Sequence, residues 1–141
     1  MLKEQVLEKT RGRSNPLILV VDDEPQMCNI LSRLLKNEGY EVTTVSNGEE
    51  AMRIISGNPP ALILLDIMMP GIDGREVFQR VHKFWQDIKV IYFSAKMEPD
   101  SYRFREICNE ADGFIAKPAT SKQILSTVNK VLLGDDCDSR I

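Results

Sequence analysis

Two stretches of the chain are apolar without a break, Leu17-Ile18-Leu19-Val20-Val21 and Leu62-Ile63-Leu64-Leu65. Runs this short, bounded by polar or turn-forming residues, read as strands buried on both faces. Lys89-Val90-Ile91-Tyr92-Phe93 and Gly113-Phe114-Ile115-Ala116 have the same character, and Glu41 to Val45 is a short strand with β-branched residues. Between these runs the period changes. Met27, Ile30, Leu31, Leu34 and Leu35 recur at helical spacing. So do Ala51, Ile54 and Ile55, then Val77, Phe78, Val81, Phe84 and Trp85, then Phe104, Ile107, Cys108 and Ala111. A last set, Ile124, Leu125, Val128, Val131 and Leu132, completes the series. Each is an apolar stripe on a helix that faces a core.

The punctuation agrees. Pro25 suits a first helical turn, where its missing N–H is no loss. Gly39 is a good C-terminal stop. Ser46-Asn47-Gly48 turns into a helix over 49–56, and Gly57-Asn58-Pro59-Pro60 breaks it. Further helices are expected over 75–85 and 100–110. Thr120-Ser121 offers capping oxygens to the last, which Gly134 ends. Five strands alternating with five helices predict an α/β fold, a parallel sheet covered by helices on both faces. With right-handed crossovers, the commonest small arrangement has strand order 2-1-3-4-5. The domain is expected over 16–133. Residues 1–15 read as a polar arm and 134–141 as an acidic, polar tail.

Composition narrows the function. At 141 residues, with 43% hydrophobic and 28% charged residues, the chain suits one domain with a full core. A net charge of −3 provides no basic footprint for direct nucleic-acid binding. No apolar run is long enough to cross a membrane, and 1–14 has no apolar core of a secretory signal. Cys28, Cys108 and Cys137 form no metal-type pair, and an odd count argues against a disulfide framework, which fits a reducing cytoplasm. His82 falls off the stripe of its helix and reads as a solvated surface residue.

The unusual residues sit where strands end. The first strand runs into Asp22-Asp23, the third into Asp66, the fourth into Ser94 and the fifth into Lys117. Any one alone is best explained as a cap or turn residue. In a parallel sheet of this order, however, all five converge at the carboxyl edge, where such folds bind ligands. Three carboxylates brought together repel one another and need a cation. An oxygen-only donor set without His or Cys points to a hard divalent ion of the magnesium kind. With Lys117 as a fixed positive charge and Ser94 as a hydrogen-bond donor, the set suits phosphoryl transfer. A carboxylate is a competent nucleophile for an aspartyl-phosphate. A haloacid-dehalogenase-like phosphatase would carry Asp-x-Asp after strand one, and Asp22-Asp23-Glu24 does not supply it. A flavodoxin would carry a Ser/Thr/Gly phosphate loop there, and a P-loop is absent.

Val21-Asp22-Asp23-Glu24, then Asp66-Ile67-Met68-Met69-Pro70-Gly71-Ile72-Asp73-Gly74, then Ser94-Ala95 and Lys117-Pro118 form an ordered set. On these motifs the chain resembles the receiver domain of two-component response regulators, over roughly Pro16 to Leu133. The resemblance implies a flavodoxin-like fold with Asp66 as phosphoacceptor. It implies Mg²⁺ held by Asp23, Asp66 and the backbone carbonyl of Met68, with Asp22 acting mainly through water. Ser94 and Lys117 would bind phosphoryl oxygens. Ser94 and Phe114 would form the switch, Phe114 standing where Tyr is also common and lacking its hydroxyl. Met68 and Lys96 lie where the family tunes loss of the phosphoryl group.

The implied donor is a sensor histidine kinase or phosphotransfer protein. The implied output is a partner protein or a second copy of the chain, on the face made by the fourth helix with exposed Tyr102, the fifth strand and the last helix. Enzymatic activity would be limited to self-phosphorylation and self-dephosphorylation. The alternative is a degenerate receiver acting as a constitutive interaction module. The intact acid set, Ser94 and Lys117 argue against it. The polar ends suit either a single-domain regulator or a piece of a longer protein.

Overall fold

The computed structural model describes residues 15–95, 106–107 and 109–133. The order is β1 (Leu17–Val21), α1 (Pro25–Asn37), β2 (Glu41–Val45), α2 (Gly48–Gly57), β3 (Leu62–Leu65), α3 (Gly74–Phe84), β4 (Lys89–Ala95), β5 (Gly113–Lys117) and α4 (Ser121–Leu133). Residues 106, 107, 109 and 110 are also helical. All strand pairs are parallel, and the sheet order is β2-β1-β3-β4-β5, as the alternation predicts. The expected roles of Lys96, Tyr102, Phe104, Cys108 and Cys137 fall outside the described residues, as do the tail and nearly all of the arm.

Successive strand residues point to opposite faces, so each apolar run feeds two cores. Ile18, Val20, Leu62, Leu64, Ile91 and Phe93 join Leu31 and Leu35 of α1 and Ile124 and Val128 of α4. Leu19, Val21, Ile63, Leu65, Val90 and Tyr92 join Ala51 and Ile55 of α2 and Val77 and Val81 of α3. Full burial of each such aliphatic side chain contributes roughly 1.5–3 kcal/mol. This is why β1 and β3 need no polar residue along their length.

Local chemistry sets the helix starts. Asn47 and Asp73 cap α2 and α3 by accepting from the Glu50 and Glu76 backbone N–H groups at 2.8 and 3.0 Å. At α4, Thr120 and Gln123 exchange hydrogen bonds in a reciprocal box, 3.1 and 2.9 Å. α1 has no side-chain cap and relies on Pro25 at its start.

Two stripe residues depart from expectation. Ile30 is 56% exposed and Phe84 68%. Ile30 lies about 100° around the helix from Leu31, beyond the edge of the buried stripe. Phe84 is the last residue of α3, where the helix unwinds and Trp85 and Ile88 take the inward places. Its ring packs edge-on to Trp85 at 5.9 Å. In the other direction, Asn129 is buried on α4 and accepts a hydrogen bond from the Tyr40 hydroxyl. His82 is exposed as expected, with its ring stacked on Phe78 at 5.4 Å.

Candidate functional site

The sheet ladder itself sets the acids in place. Asp22 follows β1 and its N–H donates to the Val45 carbonyl at 3.1 Å; Asp66 follows β3 and its N–H donates to the Val21 carbonyl at 2.9 Å. Both carboxylates are thus fixed at the carboxyl edge by backbone that cannot drift. Asp22 is 1% exposed and Asp66 6%, whereas Asp23 is open to solvent. One oxygen from each of Asp22, Asp23 and Asp66 lies within 4.8 Å of the others.

Lys117, at the end of β5, reaches into this group. Its Nζ donates to Asp22 Oδ2 at 2.8 Å and to Glu24 Oε1 at 3.3 Å, and lies 3.5 Å from Asp66 Oδ2. The ammonium also sits 5.2 Å from the centre of the Phe93 ring, an apolar floor that keeps it at the edge. Asp66 Oδ1 accepts from Ser94 Oγ and from the Met68 N–H, each at 3.2 Å. Asp22 Oδ1 accepts from the Glu24 N–H at 2.9 Å.

The electrostatics follow from this crowding. Burial pushes the Asp66 carboxyl above the usual carboxylate range; Asp22 adds to the shift, while Lys117, the Met68 N–H and Ser94 oppose it. Burial alone would lower Lys117, but its bond to Asp22 and the charges of Asp66 and Asp22 outweigh that and raise it. The ammonium therefore stays charged.

The wall of the site is the loop from Asp66 to Gly74. Gly71 has φ +76°, a left-handed backbone that suits glycine. A Cβ on Gly74 would stand 2.2 Å from the Asp66 carbonyl oxygen and 2.7 Å from the Ile67 Cα. Only glycine lets α3 begin directly against the strand that carries Asp66.

Of the residues expected at the site, Asp22, Asp23, Asp66, Ser94 and Lys117 come together. Met68 gives its N–H to Asp66, and its side chain is 69% exposed. Phe114 is half-buried against the core shared with α3, level with Tyr92 in the ladder, and Lys96 lies outside the described residues. Glu24 was missed as a partner of Lys117. It is the third acid of an unbroken run, and that run was the available signal.

A family model described as the response regulator receiver domain matches residues 18–129. The chain belongs to the response regulator receiver domain family. The receiver domain is 33% identical over 119 residues to the transcriptional regulatory protein BaeR of Escherichia coli, covering 84% of this chain and 49% of BaeR. It is 38% identical over 126 residues to a probable transcriptional regulator, ycf27, of Porphyra purpurea, covering 84% and 48% of the two chains. The chain thus spans about half the length of these curated relatives. Among solved structures, the response regulator TrrA of Thermotoga maritima, in complex with Mg²⁺ and BeF, superposes with a TM-score of 0.74 at 37% identity. That match covers 82% of this chain and 98% of TrrA. Residues 18–129 thus form a receiver domain of the two-component response regulator type, a signalling module. Among the described residues, no helix is long and apolar enough to cross a membrane.

Proposed function

We propose that Asp66 is the phosphoacceptor of this receiver domain. The observation that carries the reading is the setting of its carboxylate. It lies between Ser94 Oγ at 3.2 Å and Lys117 Nζ at 3.5 Å, in one cluster with Asp22 and Asp23. An Asp66 oxygen attacks the phosphorus of a phosphohistidine on a sensor kinase or phosphotransfer protein. The phosphorus–nitrogen bond breaks, and the histidine nitrogen leaves with the electron pair. Lys117 and Ser94 each neutralise or hydrogen-bond one phosphoryl oxygen. In self-dephosphorylation water attacks the same phosphorus, and the bond between that phosphorus and the Asp66 oxygen breaks. The carboxylate leaves with the electron pair, and inorganic phosphate is released with the water's proton passing to solvent.

The donor set fits a hard divalent cation, since three carboxylates converge and, among the described residues, no His or Cys joins the group. Mg²⁺ would be held by Asp23, Asp66 and the Met68 carbonyl, with Asp22 contributing through water. When bound, it supplies positive charge against the phosphoryl oxygens. Met68 and Lys96 tune access of water to the phosphoryl group.

Phosphorylation draws Ser94 toward the new oxygens, and Phe114 turns inward. The face around β5 and α4 then changes shape for an output partner or a second copy. A cleft of about 500 Å³ beside Phe114, bordered by Thr127, Lys130 and Val131, lies on that face. The domain occupies 16–133, between the 1–15 arm and the 134–141 tail, and works in the cytoplasm without direct contact to nucleic acid. Acetyl phosphate with Mg²⁺ is expected to add one acid-labile phosphoryl group by intact mass, and Asp66→Asn to abolish it. Equal labelling of that variant would refute the assignment. A wild type that takes no label would favour a constitutive interaction module.

A further inference from the structure

Arg75 stands in the first turn of α3, where a cation opposes the helix dipole. Its charge is answered from across the molecule. Nε and Nη2 donate to the two oxygens of Glu110, each at 2.9 Å, and Nη2 lies 3.5 Å from Glu106 Oε1. Such a fork demands that both bonds stay coplanar. The hydroxyl of Tyr92, a fully buried residue of β4, donates to the same Glu110 Oε1 at 2.7 Å.

Glu110 therefore ties three elements. One is α3, which leaves the Asp66 loop through Gly74. The second is β4, which carries Ser94 two residues beyond Tyr92. The third is the helical segment of residues 109 and 110, which precedes β5. In the ladder Tyr92 is paired with Phe114, so their rings share a face. The hydroxyl that Phe114 lacks stands one strand over and is anchored to a carboxylate.

We propose that Arg75, Glu110 and Tyr92 form a latch that holds the unphosphorylated conformation, and that its opening is part of the transition driven from Asp66. The proposal rests on the reading of Asp66 as phosphoacceptor. Movement of Ser94 shifts the end of β4, and Phe114 turns toward the face that Tyr92 occupies. A single carboxylate held by a planar fork and a buried hydroxyl cannot follow all three elements at once. Its bonds, strengthened by charge, weigh on the side of the resting state. A ligand that selects the other state is then bound more weakly by the cost of opening.

The test titrates the full chain with beryllofluoride and Mg²⁺, read by NMR, alongside thermal melting without ligand. Tyr92→Phe keeps the ring and removes the hydroxyl; Glu110→Gln removes the charge. Both are expected to melt lower yet bind beryllofluoride more tightly, roughly tenfold, as loss of one charged hydrogen bond implies. Combining them should give less than the summed gain, because both open the same latch. Arg80→Ala, which breaks an exposed pair on the same helix, should leave the affinity unchanged. Lower melting with unchanged affinity would make the cluster purely structural and overturn the proposal. So would an equal gain from Arg80→Ala, since the effect would then be general loosening. A wild type that binds no beryllofluoride would take down the Asp66 reading and the latch together.

Discussion

Around Lys117, three carboxylates lie within 3.5 Å of one ammonium, and a fourth, Asp23, shares the cluster. Around Arg75, one guanidinium meets Glu110 in a fork and Glu106 at longer range. The first borders the core on one face of the sheet and the second the core on the other. Each mixes shielded with exposed groups: Asp22 and Asp66 are buried while Glu24 is open, and Glu110 is more covered than Glu106. The clusters differ in balance. The first carries an excess of negative charge that the protein alone does not neutralise. The second nearly closes its own account and adds a buried hydroxyl. The titration directions show the contrast: burial and Asp22 push Asp66 up, whereas the hydrogen bonds from Arg75 and Tyr92 outweigh burial and hold Glu110 down. An unbalanced cluster is fitted to receive ligands, and a balanced one to hold elements together.

The joint between the two regions is the place to break both. Gly74 abuts Asp66 and precedes Arg75. Gly74→Ala should cost about 3 kcal/mol, near the top of the overpacking range, because its Cβ would meet backbone that cannot move aside. Urea unfolding would measure this, and a cost below that of an ordinary surface change would show that α3 can slide away from β3.

Next in size is a pair of changes with opposite sign. Glu110 has a lowered pKa, so its contribution is present above the unfolded-chain value and is lost as pH falls through the folded one. Glu110→Gln should therefore destabilise by about 2 kcal/mol at neutral pH and by progressively less in acid. Asp66 has a raised pKa, so folding disfavours its ionised form and stability falls as pH climbs through the folded value. Asp66→Asn should stabilise the protein in EDTA at neutral pH and lose that advantage in acid. Melting curves of both variants against pH decide this, and effects of the same sign would erase the distinction between the clusters.

A smaller effect concerns the cation. At ten times its dissociation constant, Mg²⁺ should stabilise the wild type by roughly RT ln 11, about 1.4 kcal/mol. The corresponding rise in melting temperature is roughly 4–7 °C. Asp23→Asn should remove most of that response and raise stability in EDTA, since one repelling charge is gone. Equal magnesium shifts in both proteins, at fixed ionic strength, would mean that Asp23 is not a ligand.

The smallest effect is expected at the shortest ion pair among the described residues. Arg80 Nη2 and Glu76 Oε2 are 2.6 Å apart, but both side chains are nearly half exposed. Arg80→Ala should cost only about 0.3–0.5 kcal/mol. A cost equal to that of Glu110→Gln would show that distance, rather than burial, sets the worth of an ion pair here.

The strands and the acidic site were legible for one reason. Burial on both faces leaves continuous apolar runs, and the first polar residue after each run marks the sheet edge where these side chains converge. Asp22, Asp66, Ser94 and Lys117 could be found that way. The latch could not. Arg75 and Glu110 are 35 residues apart, and nothing in either segment names the other. What signal exists is indirect: a cation at the wrong end of a helix, and a tyrosine hydroxyl inside the apolar run Val90 to Phe93. Asn129 resisted for the same reason, since its partner Tyr40 lies 89 residues away. Ile30 and Phe84 show the converse failure. Periodicity reports which side of a helix faces inward, but not how wide the buried stripe is or where the covered length ends.

The bond between Lys117 and Asp22 spans 95 residues of chain. The first strand supplies the acid and the last supplies its ammonium, with the central strand and its aspartate between them. A polypeptide emerging from synthesis therefore carries its acids long before it carries the cation that partners them. Loop closure over such a separation is among the costlier contacts a fold must make. No fragment that stops short of the fifth strand holds Lys117 against Asp22 and Asp66. Completion of the site is thus tied to completion of the sheet, and an unfinished chain lacks the ammonium that the finished site sets beside its aspartate.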